Sequence, residues 1–148
     1  MQPLVLVRRL PERGAGVAAL CMALLVETAT AQALRDYKCI VERVASADAS
    51  AIHMKFQMYF VGKEFTVDRR TGVMAGNLKN SYTTSPVVVD AGSTENSFKA
   101  VTTLRKEQGL GPGSNAYLLV VNEYVDSPKK PFLFAENDDV YFGTCTHF

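Results

Sequence analysis

Apolar and polar residues alternate with a period of two along most of the chain from Tyr37 to the C-terminus, and short runs of turn-forming residues separate the alternating segments. Alternation with this period is typical of β-strands that bury one face. Short connections between consecutive strands favour antiparallel pairing over crossover helices. The sequence therefore predicts an all-β fold, a small antiparallel barrel or sandwich of eight or nine short strands.

The predicted strands are 37–44, 53–61, 64–68, 73–76, 87–90, 97–104, 116–124, 131–136 and 140–148. Between the third and fourth of these, Asp68 can cap a turn and Gly72 can adopt a positive φ, so a hairpin is expected there. One turn of helix is predicted at 46–53.

The first 33 residues differ from the rest of the chain. Three arginines precede the apolar segment 14–26, and the small-x-small pattern Ala31-Gln32-Ala33 follows it. This order is typical of a secretory signal peptide, and the apolar segment is shorter than the roughly 20 residues that span a bilayer. We expect a cleaved signal peptide at 1–33, a single periplasmic or secreted domain at 34–148, and no transmembrane segment after cleavage.

The charge of residues 34–148 is balanced, with thirteen basic and thirteen acidic side chains. Nucleic-acid binding requires clustered positive charge. The basic pairs Arg69-Arg70, Arg105-Lys106 and Lys129-Lys130 all fall in predicted loops, where solvated side chains are expected. The composition therefore predicts no nucleic-acid partner.

Two cysteines remain in the predicted mature domain, Cys39 in the first strand and Cys145 in the last. In an exported protein such a pair favours a disulfide, and two cysteines are too few for a structural zinc site. Because a disulfide needs Cα atoms within about 7 Å, we expect a Cys39–Cys145 disulfide that joins the first and last strands. A sheet joined in this way is close to closure.

The predicted strand 53–61 places four large apolar side chains on one face: Met54, Phe56, Met58 and Phe60. Methionine and aromatic side chains inside a barrel can line an adaptable apolar pocket. They can equally fill the core. Both alternatives stay open, and the first would make a small apolar molecule the ligand.

Candidate catalytic and metal-binding residues are few. The two histidines, His53 and His147, do not stand in the H-x-H or H-E-x-x-H spacing that would support a zinc site with Asp138 or Asp139. No G-x-S-x-G elbow is present, and the glycines of 109–115 precede a predicted strand instead of the helix that a phosphate-binding loop needs. We expect no catalytic residue, no metal and no cofactor.

A leader, a short antiparallel barrel, Tyr37-Lys38-Cys39 near the start and a cysteine near the end together resemble the small periplasmic inhibitors of c-type lysozyme. The resemblance covers the termini. That family's inhibitory loop carries Ser-Gly-x-x-Tyr, whereas segment 91–98 has Gly92-Ser93 in the opposite order and no tyrosine. The resemblance therefore implies an inhibitor-like envelope protein without assigning any inhibitory residue.

Long loops rich in glycine, serine and asparagine on a regular scaffold favour a non-catalytic binding module, because binding residues concentrate on such loops. The expected partner is an envelope protein, a cell-wall component or a small apolar ligand. A lysozyme-inhibitor-like protein, a small hydrolase and a structural component of the envelope are the alternatives.

Overall fold

The computed structural model describes residues 35–47, 55, 58–105, 107–108 and 115–148. These residues form eight strands: β1 (Tyr37–Ser46), β2 (Glu64–Val67), β3 (Met74–Gly76), β4 (Val87–Ala91), β5 (Phe98–Leu104), β6 (Asn115–Val121), β7 (Lys130–Glu136) and β8 (Asp139–His147). No helix within the described ranges is long and apolar enough to cross a membrane. The predicted leader at 1–33 and the glycine-rich segment at 109–114 lie outside the described residues.

All eight strands belong to one sheet, which curls into a half-barrel with the order β3-β2-β1-β8-β7-β6-β5-β4. Every pairing is antiparallel. The first and last strands are therefore neighbours near the middle of the sheet, and β3 and β4 are the edges of the sheet that the structure describes. The predicted all-β antiparallel fold is confirmed.

The alternation in the sequence corresponds to the two faces of the sheet. In β6, Tyr117, Leu119 and Val121 are buried, whereas Leu118 between them is 38% exposed. The inward residues of the other strands complete one core cluster, which also includes Tyr37, Val41, Phe65, Val67, Met74, Phe98, Ala100, Leu104, Phe132, Phe134 and Tyr141. Burial of these side chains is the main favourable contribution to folding.

The predicted strand 53–61 is wrong at every one of its positions that the structure describes: Lys55 and Met58 have helical backbone, and 59–61 form a turn. The apolar residues of this segment also fit a helix, because Met54, Met58 and Val61 follow the spacing i, i+4, i+7. A short apolar run with both spacings does not distinguish the two structures. The ninth predicted strand is therefore absent at the positions that the structure describes.

The expected disulfide is confirmed. Cys39 and Cys145 are directly opposite each other in the β1–β8 ladder, their Cα atoms are 3.9 Å apart, and the bond spans 106 residues of sequence. Both cysteines are buried in the core. The covalent bond therefore reinforces a ladder that joins the two strands most distant in sequence.

The turn that precedes β3 is held by a buried side chain and packs on β4 and β5. The buried Asn80 accepts a hydrogen bond from the Met74 amide and donates one to the Gly72 carbonyl, both 2.9 Å. Gly72 has a φ of +75° and packs so closely on β4 and β5 that a Cβ would lie 2.9 Å from that of Ala100. The predicted Asp68–Gly72 turn is confirmed, and it packs against the opposite half of the sheet.

We predict that Cys145→Ser lowers the free energy of unfolding by about 4 kcal/mol, because a long covalent loop restricts the unfolded chain. Urea titration of the variant and of the oxidised wild type measures the difference. Mass spectrometry after alkylation without reductant should find no free thiol at Cys39 or Cys145. Two alkylated thiols in the native protein, or equal stabilities, would contradict the prediction.

Candidate functional site

The inner face of the sheet is apolar in the middle and polar toward both ends. One polar group, the Glu123 cluster, consists of Tyr37, Arg69, Glu123, Lys130 and His147. The other, the polar row, consists of Ser46, Thr102, Tyr117, Glu136 and Asp139. Because Asp139 and His147 are the two ends of β8, the usual rise per residue separates the groups by roughly 25 Å.

The Glu123 cluster is a buried carboxylate surrounded by donors. Glu123 Oε1 accepts a hydrogen bond from the Tyr37 hydroxyl at 2.6 Å, and it lies 2.8 Å from His147 Nε2 and 3.3 Å from an Arg69 guanidinium nitrogen. Lys130 Nζ lies 3.7 Å from the other carboxylate oxygen. The Glu123 side chain is only 8% exposed, so these partners replace its hydration.

Arg69 and Lys130 correct the prediction of solvated loop charges. The Arg69 side chain is 9% exposed, and its guanidinium donates to the carbonyls of Ala91 and Gly92 at the end of β4. Lys130 is 15% exposed and donates to the carbonyls of Glu123 and Val125. Their sequence neighbours Arg70 and Lys129 are exposed, as predicted.

Burial raises the pKa of the Tyr37 hydroxyl far above its ordinary value, and the hydrogen bond to Glu123 adds to this shift. Tyr37 therefore stays protonated and donates to the carboxylate at any physiological pH. Because tyrosine, arginine, lysine and histidine already surround Glu123, its carboxylate has all of its partners within the protein. The cluster has the composition of a structural element that fixes β1, β7, β8 and the β2–β3 turn together.

The polar row follows from the register of five strands. Thr102 of β5 pairs with Tyr117 of β6, Tyr117 with Glu136 of β7, and Glu136 with Asp139 of β8. Ser46 of β1 pairs with Asp139 on its other side. Directly opposite residues of antiparallel strands share a face of the sheet, so three hydroxyl groups and two carboxyl groups lie side by side on the inner face.

Two members of the polar row have no partner among the described residues. Thr102 is 2% exposed, and its Oγ1 has no hydrogen-bond partner. The half-buried Glu136 carboxyl has neither a hydrogen bond nor an ion pair within the described part of the chain. Thr84 Oγ1, two residues after Tyr82 in the sequence, is also buried without a hydrogen-bond partner among the described residues. Buried polar groups of this kind destabilise the folded state unless something else binds them.

Burial raises the pKa of Glu136, and the negative charge of Asp139 raises it further. Burial also raises the pKa of Tyr82 and of Tyr117, and in both cases Glu136 adds to the shift. The Tyr82 ring, 56% exposed, lies 6.3 Å from the Tyr117 ring between centroids. The site thus combines a poorly solvated carboxyl group with an exposed aromatic ring.

The predicted apolar pocket is described at two of its four residues, since Met54 and Phe56 lie outside the described ranges. Met58 is 55% exposed. Phe60 is partly buried and packs edge-to-face on Tyr141, with ring centroids 5.5 Å apart. Phe60 therefore contacts the core, and whether the four side chains form a pocket stays a prediction.

Of the candidate metal ligands, His53 lies outside the described residues, and His147 contacts Glu123 instead of Asp138 or Asp139. Within the described ranges no three His, Cys, Asp or Glu side chains are grouped as metal ligands. Sequence reasoning missed both polar groups. A partial signal was present in β5, where Thr102 occupies an inward position between Ala100 and Leu104.

Compared with known proteins, the chain matches no family model, no curated protein and no solved structure. The geometry of the two polar groups is therefore the basis for assigning a function.

We predict that Glu123→Gln lowers the free energy of unfolding by about 3 to 5 kcal/mol, because two buried cations lose their counter-charge. Urea titration at neutral pH measures the loss. The matched control is Glu64→Gln, whose exposed carboxylate pairs with Lys38 at 3.0 Å; it should cost less than about 1 kcal/mol. Equal losses in the two variants would contradict a stabilising role for the cluster.

Glu136→Gln should increase stability at neutral pH. The folded state binds the Glu136 proton more tightly than the unfolded chain does, so ionisation lowers the free energy of unfolding as pH rises through the raised pKa. Glutamine cannot ionise, so the variant avoids this loss. Its gain in free energy of unfolding should shrink as the pH falls below the ordinary pKa of glutamate. Urea titrations across this pH range measure it, and a gain that grows toward acid pH would be incompatible with it.

Proposed function

We propose that this protein is an exported, non-catalytic binding module that binds a small ligand at the polar row. The observation that carries the proposal is a pair of groups on either side of Tyr117 that have no hydrogen-bond partner among the residues that the structure describes, the Thr102 hydroxyl and the Glu136 carboxyl. Groups of this kind, placed side by side on a rigid sheet, are suited to fix the orientation of a ligand.

The size of the polar row suits a small molecule. Thr102 and Glu136 lie two strands apart, and the spacing between strands puts their backbones about 10 Å from each other. Tyr82 adds an exposed ring beside them. The middle of the inner face holds large buried side chains such as Phe98, Leu119 and Phe134, so the proposed ligand binds at the end of the half-barrel.

Export is part of the proposal. A buried disulfide between strands is typical of proteins that fold in oxidising compartments, and the pattern of residues 1–33 is that of a secretory leader. Both features support a periplasmic or secreted location.

Binding is favoured over catalysis by the separation of the reactive groups. His147 is held by Glu123 at 2.8 Å, at the opposite end of β8 from Asp139. General acid-base catalysis requires such groups within hydrogen-bond reach of one reacting atom. The carboxyl groups of the polar row therefore lie too far from His147 to share a substrate with it.

The test uses isotope-labelled protein, purified after expression of the full chain, and the fraction of cell-envelope extract that contains only small molecules. We expect changes in the amide NMR signals of Thr102, Tyr117 and Glu136, and weaker changes in Thr102→Val and Glu136→Gln. Glu64→Gln is the matched control and should behave as wild type.

Two results would overturn the proposal. One is an absence of signal changes at the polar row with extract at high concentration. The other is turnover of glycan, ester or peptide substrates that Glu136→Gln abolishes, because that outcome would make the polar row a catalytic site.

A further inference from the structure

Resting on the proposed export of the chain, we infer that the β1–β8 ladder and its disulfide delay folding until the chain has left the reducing cytosol. The sheet is completed only when two conditions are met. The β8 segment must be available to pair with β1, and Cys39 and Cys145 must be oxidised. The delay keeps the precursor unfolded for passage through a secretion channel that accepts only unfolded chains.

The first condition follows from the position of β8. It is the last described strand in sequence, yet it lies between β1 and β7. Without it, the described strands divide into a sheet of three, β1 to β3, and a sheet of four, β4 to β7. The sides of β1 and β7 that β8 occupies then carry unpaired backbone groups, which destabilise a fold when they are buried.

β8 also supplies side chains to both the core and the Glu123 cluster. Tyr141 is 2% exposed, and its ring centroid lies 5.9 Å from that of Phe134 and 5.5 Å from that of Phe60. His147 contacts Glu123 at 2.8 Å. A chain that has not yet added β8 lacks these contacts, so it loses part of the apolar burial that drives folding.

The second condition is chemical. Thiols are kept reduced in the cytosol, so the Cys39–Cys145 bond forms only after export. The bond spans 106 residues of sequence, and the stabilisation expected for such a loop is comparable with the whole stability of a small domain. Among the described ladders, β1–β8 also joins the strands furthest apart in sequence, which slows its formation in the reduced chain.

The test compares the natural chain with a rejoined chain. In the rejoined chain a two-residue Asn-Gly turn links Phe148 to Asp36, whose carbonyl accepts a hydrogen bond from the Phe148 amide at 3.2 Å. The new chain starts at Thr83 and ends at Tyr82, two exposed residues between β3 and β4. Every described ladder of this chain joins consecutive strands.

We expect the rejoined chain to refold at least ten-fold faster than the natural chain after dilution from urea with reductant, because its strand pairs are close in sequence. Reductant should raise the ratio of unfolded to folded molecules at least ten-fold more in the natural chain than in the rejoined chain. The reason is that the disulfide of the rejoined chain closes only a short loop.

The matched control carries the same Asn-Gly turn but starts at Gly109 and ends at Gln108. Its β5–β6 ladder then joins the last strand to the first, so with reductant it should refold as slowly as the natural chain. A single refolding rate for all three chains would overturn the inference, and so would a natural chain whose stability reductant leaves unchanged.

A second measurement follows export. Residues 1–35 are placed before each of the three chains, and the processed fraction is measured by pulse labelling in an expression host with a periplasm. We expect the rejoined precursor to be processed several-fold less than the natural one, because it folds before export, and the control to behave as the natural chain. Equal processing of all three precursors would overturn the inference.

The remaining outcomes separate the inference from the proposed function. Binding at the polar row is measured on the oxidised protein, so an absence of ligand effects there refutes the binding module and leaves the folding delay intact. If the natural precursor is not processed at all, the proposed export fails, and with it the inference that the delay serves export.

Discussion

The register between β1 and β8 places members of both polar groups on the inner face of the sheet. The ladder runs from Tyr37 opposite His147 to Ser46 opposite Asp139, with Cys39 opposite Cys145 between them. One end of this ladder therefore supplies two members of the Glu123 cluster, and the other end supplies two members of the polar row. Since a shift of one residue would turn each inward side chain outward, the disulfide fixes the register at the end of the ladder that carries the Glu123 cluster. A register shift between Val41 and Arg43 then sets the pairing at the end that carries the polar row.

Arg69 connects the β2–β3 turn to the end of β4, two segments that are not paired with each other in the described sheet. It belongs to the β2–β3 turn on one side, and it donates to backbone carbonyls at the end of β4 on the other. Its charge is balanced by Glu123, which also holds Tyr37 and His147. A buried charge network therefore links these two segments, as backbone hydrogen bonds link paired strands elsewhere in the sheet. Because its charges are poorly solvated, the network is stable only if the charged groups are well positioned.

The fold could be predicted from sequence because the alternation of residues is local, and each strand of the described structure lies within a residue or a few of its predicted bounds. The sites could not be predicted in this way. Thr102, Tyr117 and Glu136 belong to three strands, and only the register of two ladders makes them neighbours. Arg69 carries the sequence signals of an exposed turn, and its burial depends on β4, 22 residues further along the chain. Contacts between distant segments leave no periodic pattern within either segment.

The disulfide lies in the one ladder of the described sheet whose strands do not follow one another in sequence. Of the seven described ladders, six join strands that follow one another in sequence, and the β1–β8 ladder joins the first to the last. Read from β4 through β8 and on through β1 to β3, the sheet is one continuous meander. A hairpin turn would link β8 to β1 in an ordinary meander, and here the Cys39–Cys145 bond links them instead. The strand order is therefore that of a circularly permuted meander in which a disulfide replaces one turn.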